Sequence, residues 1–201
     1  MDHDISSVFG VTESDTFYDV TANIKNFVEH FDYTPDSLDG LLCSDKTASL
    51  FDAMLLASFF PSEAFDASVL RFLVKVAESH PEICKSIASC PRSSLIIESL
   101  FNLESDGGNM RALVLTLRLF VGLLGSRSFV QIPVHVEKNL FVCLRRLLDN
   151  EGLKAWCALA FCGLCLSDSK FTSVVRSSGL TQAFTEMLDS EDLCQQSASL
   201  C

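Results

Sequence analysis

Long apolar runs are the first thing this sequence lacks. Its longest uncharged apolar stretch, residues 155–166, falls short of the about 20 residues that cross a bilayer, and it reads as a buried helix. The start, Met1-Asp2-His3-Asp4, has no basic region and no apolar core, so no secretory leader is expected there. No glycine follows Met1 and no prenylation box closes the chain, so no lipid anchor is expected. Positive charge is scarce as well. Fifteen Lys and Arg stand against 26 Asp and Glu, a net charge of −11. Wrapping nucleic acid or lying on anionic lipid needs a positive surface, so neither is expected as the main activity.

Catalytic signatures are also missing. The chain holds no Gly-x-Ser-x-Gly, no phosphate-binding loop, no dinucleotide fingerprint and no His-Glu-x-x-His. His3, His30, His80 and His135 fall in separate candidate elements, and His80-Pro81 reads as a turn. Gly107-Gly108 reads as a loop. Asp36, Asp39 and Asp45 lie in a charged loop without convergent partners. No enzyme activity and no cofactor are expected.

What is present is a well-stocked core. Hydrophobic residues make up 48% and charged residues 20%, a globular balance that excludes wholesale disorder. Two hundred and one residues suit one domain or one elongated repeat array. Nine cysteines, Cys43, Cys84, Cys90, Cys143, Cys157, Cys162, Cys165, Cys194 and Cys201, sit mostly inside apolar periodic runs. Buried thiols in a reducing cytoplasmic or nuclear setting fit that placement better than a disulfide framework. Cys162-x-x-Cys165, with Cys157 nearby, matches half of a zinc site. A second ligand pair is missing, so these cysteines are expected to act as small apolar residues and no metal is expected.

Charge is unevenly spread. The first 66 residues hold 13 acids and two bases, Lys25 and Lys46, while the remaining residues hold 13 of each sign. The whole formal charge therefore lies in the first third. This marks a boundary near 65–67, with 1–66 as an acidic cap and 67–201 as a neutral body. A sharper reading makes the acidic part an arm that docks on a basic surface.

Apolar spacing of three and four residues recurs throughout, which predicts helices. Asp15 or Thr16 can start one that runs through Phe17, Val20, Ile24, Phe27, Val28 and Phe31. Thr34-Pro35-Asp36 breaks it and caps the next. Asp45 or Thr47 opens a third, which Pro61 and Ser62 end. The best strand candidate, 129–136, contains Pro133, which argues against a paired strand.

From Ala67 a longer period emerges. Leu95, Leu140 and Leu180 match at one end of three aligned segments, and Leu103, Leu148 and Leu188 match at the other. Phe120-Val121-Gly122-Leu123 and Phe161-Cys162-Gly163-Leu164 match in a second set. A spacing of about 40–45 residues with two or three helices per unit is that of armadillo and HEAT arrays.

The stretch from Ser169 through Gly179-Leu180 to Met187-Leu188-Asp189-Ser190 resembles an armadillo repeat. It shows a short helix ending in small residues and Gly179, then a second helix ending in paired apolar residues. Glycine there permits a sharp bend without a Cβ clash. The resemblance spans about 67–201. It implies an all-α fold, an armadillo-like right-handed solenoid of about three repeats behind the acidic helical cap. Residues 191–201 look like the opening of another helix that stops mid-unit, as in a piece of a longer protein or an end that a partner covers.

In that family a Trp and an Asn one turn later on the third helix line a peptide groove. Here the Trp-type positions hold Arg71, Arg118 and Leu159, and the Asn-type positions hold Lys75, Gly122 and Gly163. The ladder is absent, which argues against importin-like capture of basic peptides. Trp156, three residues off its family position, reads as packing. In place of the ladder, Arg71 and Lys75 share one helix face, as do Arg111 and Arg118. With Lys154 they would form a basic stripe suited to an acidic partner peptide or helix, since Arg binds carboxylate or phosphate at two points. Arg145-Arg146 would point to the convex side or the edge.

The functional expectation is a non-catalytic protein-interaction scaffold. One alternative is a homo- or hetero-oligomeric assembly module joined through the C-terminal end. Another is a cofactor that clasps an Hsp70-type chaperone and releases its nucleotide.

Overall fold

The computed structural model describes residues 17–59, 67–105, 109–126 and 134–188. Expectations at Asp15-Thr16, Pro61-Ser62, Gly107-Gly108, Pro133, Cys194, Cys201 and the final half-unit lie outside them. Among the described residues every regular element is an α-helix and no strand occurs. None of these helices is long and apolar enough to cross a membrane.

The helices are α1 (Phe17–His30), α2 (Pro35–Cys43), α3 (Thr47–Phe59), α4 (Ala67–Ser79), α5 (Pro81–Ala88), α6 (Ser94–Ser105), α7 (Met110–Gly125), α8 (Val134–Leu147), α9 (Lys154–Ser167), α10 (Lys170–Ser177) and α11 (Leu180–Leu188). Packing divides the chain into two units, Met1–Ser99 and Leu100–Cys201. The charge boundary near 65–67 and the packing boundary at 99/100 differ for a physical reason. Charge is distributed by what faces water, and packing by which apolar faces meet.

In the first unit, α4 packs against α1, α3 and α5. Its apolar positions recur so often that Val69, Leu70, Phe72, Leu73, Val74, Val76 and Ala77 are all buried, leaving one exposed strip at Arg71, Lys75 and Glu78. Local chemistry sets the helix starts. The Thr34 hydroxyl caps α2 by accepting from the Ser37 amide at 3.3 Å, and Pro35 fills the first helical position, where a missing N–H costs nothing. His80 caps α5: its Nδ1 accepts from the Glu82 amide at 3.3 Å, with Pro81 again first in the helix. The turn after α5 is tied to α3. The Asp52 carboxylate accepts from the Arg92 amide at 3.0 Å and pairs with the Arg92 guanidinium.

In the second unit, α9 packs most extensively on α7 and also meets α8 and α10. The approach is close because Gly163 has no Cβ. One added there would stand 2.7 Å from Leu124 Cβ on α7. Phe141, Phe161, Phe171 and Phe184 link α8, α9, α10 and α11 through ring centroids 5.4–6.1 Å apart. Gly179 holds φ +72°, the left-handed conformation that turns the chain from α10 into α11. Asp168 prepares the start of α10, its Oδ1 accepting from the Lys170 amide at 2.9 Å.

Candidate protein-interaction surface

Arg71 and Lys75 lie one turn apart on the exposed strip of α4. Neither joins an ion pair with a described residue, although acids outnumber bases in this part of the chain. Lys75 is braced from below, its Nζ lying 3.3 Å over the centre of the Tyr33 ring. Tyr33 itself is half-buried in the link between α1 and α2. It packs on Phe31 with centroids 5.3 Å apart and on Phe72 with centroids 5.8 Å apart. Phe27 completes that aromatic cluster against Phe31 and Phe72. Burial raises the ionisation of the Tyr33 phenol above its ordinary range, and the Arg71 charge opposes it. The phenol, like any tyrosine, is a neutral O–H donor at physiological pH.

The other expected stripe cations, Arg111, Arg118 and Lys154, belong to the second unit. Arg111 and Arg118 both lie on α7, Arg111 exposed in its first turn and Arg118 half-buried two turns later. The Arg118 guanidinium sits 5.2 Å from the Trp156 ring, which stands in the first turn of α9. Trp156 is thus a support for a cation. Lys154 is engaged: it pairs with Glu151, one helical turn before it. Arg145 lies 3.6 Å from Asp149 on the exposed side of α8, and Arg146 is exposed beside it. The five expected stripe residues therefore differ in state. Arg71 and Lys75 are exposed and outside any described ion pair, Arg118 is stacked, Arg111 is exposed, and Lys154 is neutralised.

Sequence reasoning missed the aromatic supports. Tyr33 is 42 positions from Lys75, and no local spacing links them. The separation of Arg118 from Trp156 is 38, close to the repeat period, and a period argument could have paired them. The Lys154–Glu151 pair was open to view, being a three-residue spacing.

The described thiols differ in exposure. Cys84, Cys90, Cys143 and Cys157 are buried, Cys162 and Cys165 are half-buried, and Cys43 is exposed. Burial pushes Cys84 up to about 11, and burial with the nearby Asp52 charge pushes Cys90 up to about 12. Burial, with Cys143 adjacent, drives Cys157 higher still. Such groups remain protonated, the opposite of a metal-binding or nucleophilic thiolate. Among the described residues no three His, Cys, Asp or Glu side chains stand together to hold a metal.

Taken together, these features define a helical chain that presents aromatic-braced cations to solvent. No protein-family model, no curated protein and no solved structure matches the chain.

Proposed function

We propose that this chain is a non-catalytic protein-interaction module that holds an acidic peptide or helix of a partner. In this reading the helices belong to an armadillo-like right-handed α-solenoid, with 1–66 as an acidic cap and about three repeats over 67–201. Support for the repeat reading comes from the sequence period, from the all-helical content, and from the left-handed Gly179 between α10 and α11. A reducing cytoplasmic or nuclear setting accords with free, mostly buried cysteines.

The observation that carries the interaction reading is the pair on α4. Two exposed cations stand one turn apart, without a described carboxylate partner, in a protein whose net charge is −11. An aromatic ring under Lys75 holds the side chain in place, so less rotamer entropy is lost when an anion binds. Arg71 supplies a planar fork that meets two oxygens at once. Arg118 on Trp156 repeats the cation-on-ring design in the second unit.

A panel of short acidic peptides titrated against the folded chain by fluorescence anisotropy tests this. Arg71→Glu and Arg118→Glu should each weaken binding by about tenfold or more while the helical circular dichroism stays unchanged. Affinity indifferent to both reversals would remove the assignment. Light scattering of the same samples separates a monomeric binder from the assembly reading.

A further inference from the structure

We propose that Arg71, Lys75 and the Tyr33 hydroxyl form a site for a phosphate monoester, a phosphorylated side chain on the partner peptide. This rests on the reading that the α4 pair is a recognition element, and it names which acid that element takes.

Charge balance distinguishes the two candidate acids. A carboxylate brings one negative charge and leaves one of two adjacent cations uncompensated. A phosphate monoester brings about −1.5 to −2 at neutral pH, which matches the pair. Donor count points the same way. The Arg71 guanidinium, the Lys75 ammonium and the Tyr33 O–H are three separate donors, and a phosphate monoester presents three strong acceptor oxygens. A phenol is neutral at physiological pH and can donate to an anion, and burial moves the Tyr33 ionisation further from that range. Its hydroxyl bonds no described residue.

The site is also largely set before the ligand arrives. The Tyr33 ring is fixed by Phe31 and Phe72, and Lys75 is fixed over that ring at 3.3 Å. Arg71 and Lys75 share the exposed strip of a helix whose other faces are buried. Asp32, next to Tyr33 in the chain, and Glu78, one turn beyond Lys75 on α4, are both exposed.

Isothermal titration of the full chain with peptides matched except at one central residue, which is serine, glutamate or phosphoserine, tests the site. The phosphoserine form should bind about tenfold tighter than the glutamate form. That preference should fall to about twofold or less in Arg71→Gln and in Lys75→Gln, and should shrink in Tyr33→Phe. Inorganic phosphate should compete with the phosphoserine form. Arg71 and Lys75 are exposed, so these variants should keep the wild-type circular dichroism, which is checked on each. Glutamate and phosphoserine forms of equal affinity, both lost in Arg71→Gln, would overturn the phosphate site and leave the acidic-partner reading standing. No Arg71-dependent binding of any form would overturn both. A phosphoserine preference that survives both α4 variants would place the phosphate elsewhere and overturn the site.

Discussion

Two glycines at matching places in the repeat alignment have opposite surroundings. A Cβ on Gly163 would meet Leu124 Cβ at 2.7 Å, whereas one on Gly122 would meet nothing within 4 Å. Gly163→Ala must therefore push α9 from α7 and should destabilise by about 1–3 kcal/mol. Gly122→Ala gains helix propensity without a clash, so it should be neutral or stabilising by up to about 1 kcal/mol. Chemical denaturation of both variants checks the pair, and equal effects would contradict the packing described. Thiol exposure makes a second residue-scale prediction. Under native conditions iodoacetamide should label Cys43 well before Cys84, Cys90 or Cys157, which are buried and held protonated. Peptide mapping by mass spectrometry reads the order.

Helix starts and stops were legible where the chemistry is local. Thr34-Pro35 signals a cap and a first turn in any context, and the structure uses both residues so. Asp45 or Thr47 as an opening agrees with α3 beginning at Thr47. His80-Pro81 looked like a turn, and the structure makes it a cap through a ring nitrogen, an acceptor that composition does not flag. Residues 134–136, part of the stretch weighed as a strand, lie in α8. Contacts between distant positions left no local trace. Asp52 with Arg92 and Tyr33 with Lys75 are separated by 40 or more residues, and only folding brings them together. The candidate site was therefore half legible: its cations were readable from helical spacing, and its aromatic supports were not.

Asp168 makes an element-scale prediction. Its hydrogen bond from the Lys170 amide, with the Lys170 charge at 3.3 Å, lowers its ionisation below the usual carboxylate range. A depressed carboxyl contributes stability above its unfolded value of 3.8, and that contribution is lost as pH falls through the lower folded value. Protection of the α10 amides, measured relative to their intrinsic exchange at each pH, should therefore hold down to about pH 4 and fall below it. Asp168→Ala should quicken exchange in the first turn of α10 at neutral pH. Unchanged exchange in that variant would show that Asp168 does not anchor the helix.

At the scale of the whole molecule, buried thiols set an alkaline limit. Cys84 and Cys90 ionise near 9.0 in the unfolded chain but only at about 11 and about 12 when folded. Raised values mean that the folded state keeps protons the unfolded state releases. Their stabilising contribution is full below pH 9.0 and is lost progressively above it, through those folded values. The midpoint of thermal unfolding should fall as pH rises from 9 toward 11, and Cys90→Ala should flatten that slope. An unchanged slope would remove the thiols as its cause.

Charge and packing also divide the chain differently at this scale. Acidic residues gather in the first third, yet helices from that third pack on α4, whose exposed strip carries two cations outside any ion pair among the described residues. That pair, in an acidic chain, is the basis for reading it as an acceptor of negative charge. The most direct measurement is an amide NMR titration of the full chain with a short acidic peptide. Shifts should concentrate around Tyr33 and along α4 near Arg71 and Lys75, and should vanish in Arg71→Glu. Shifts that leave those positions untouched while the peptide binds would contradict the assignment.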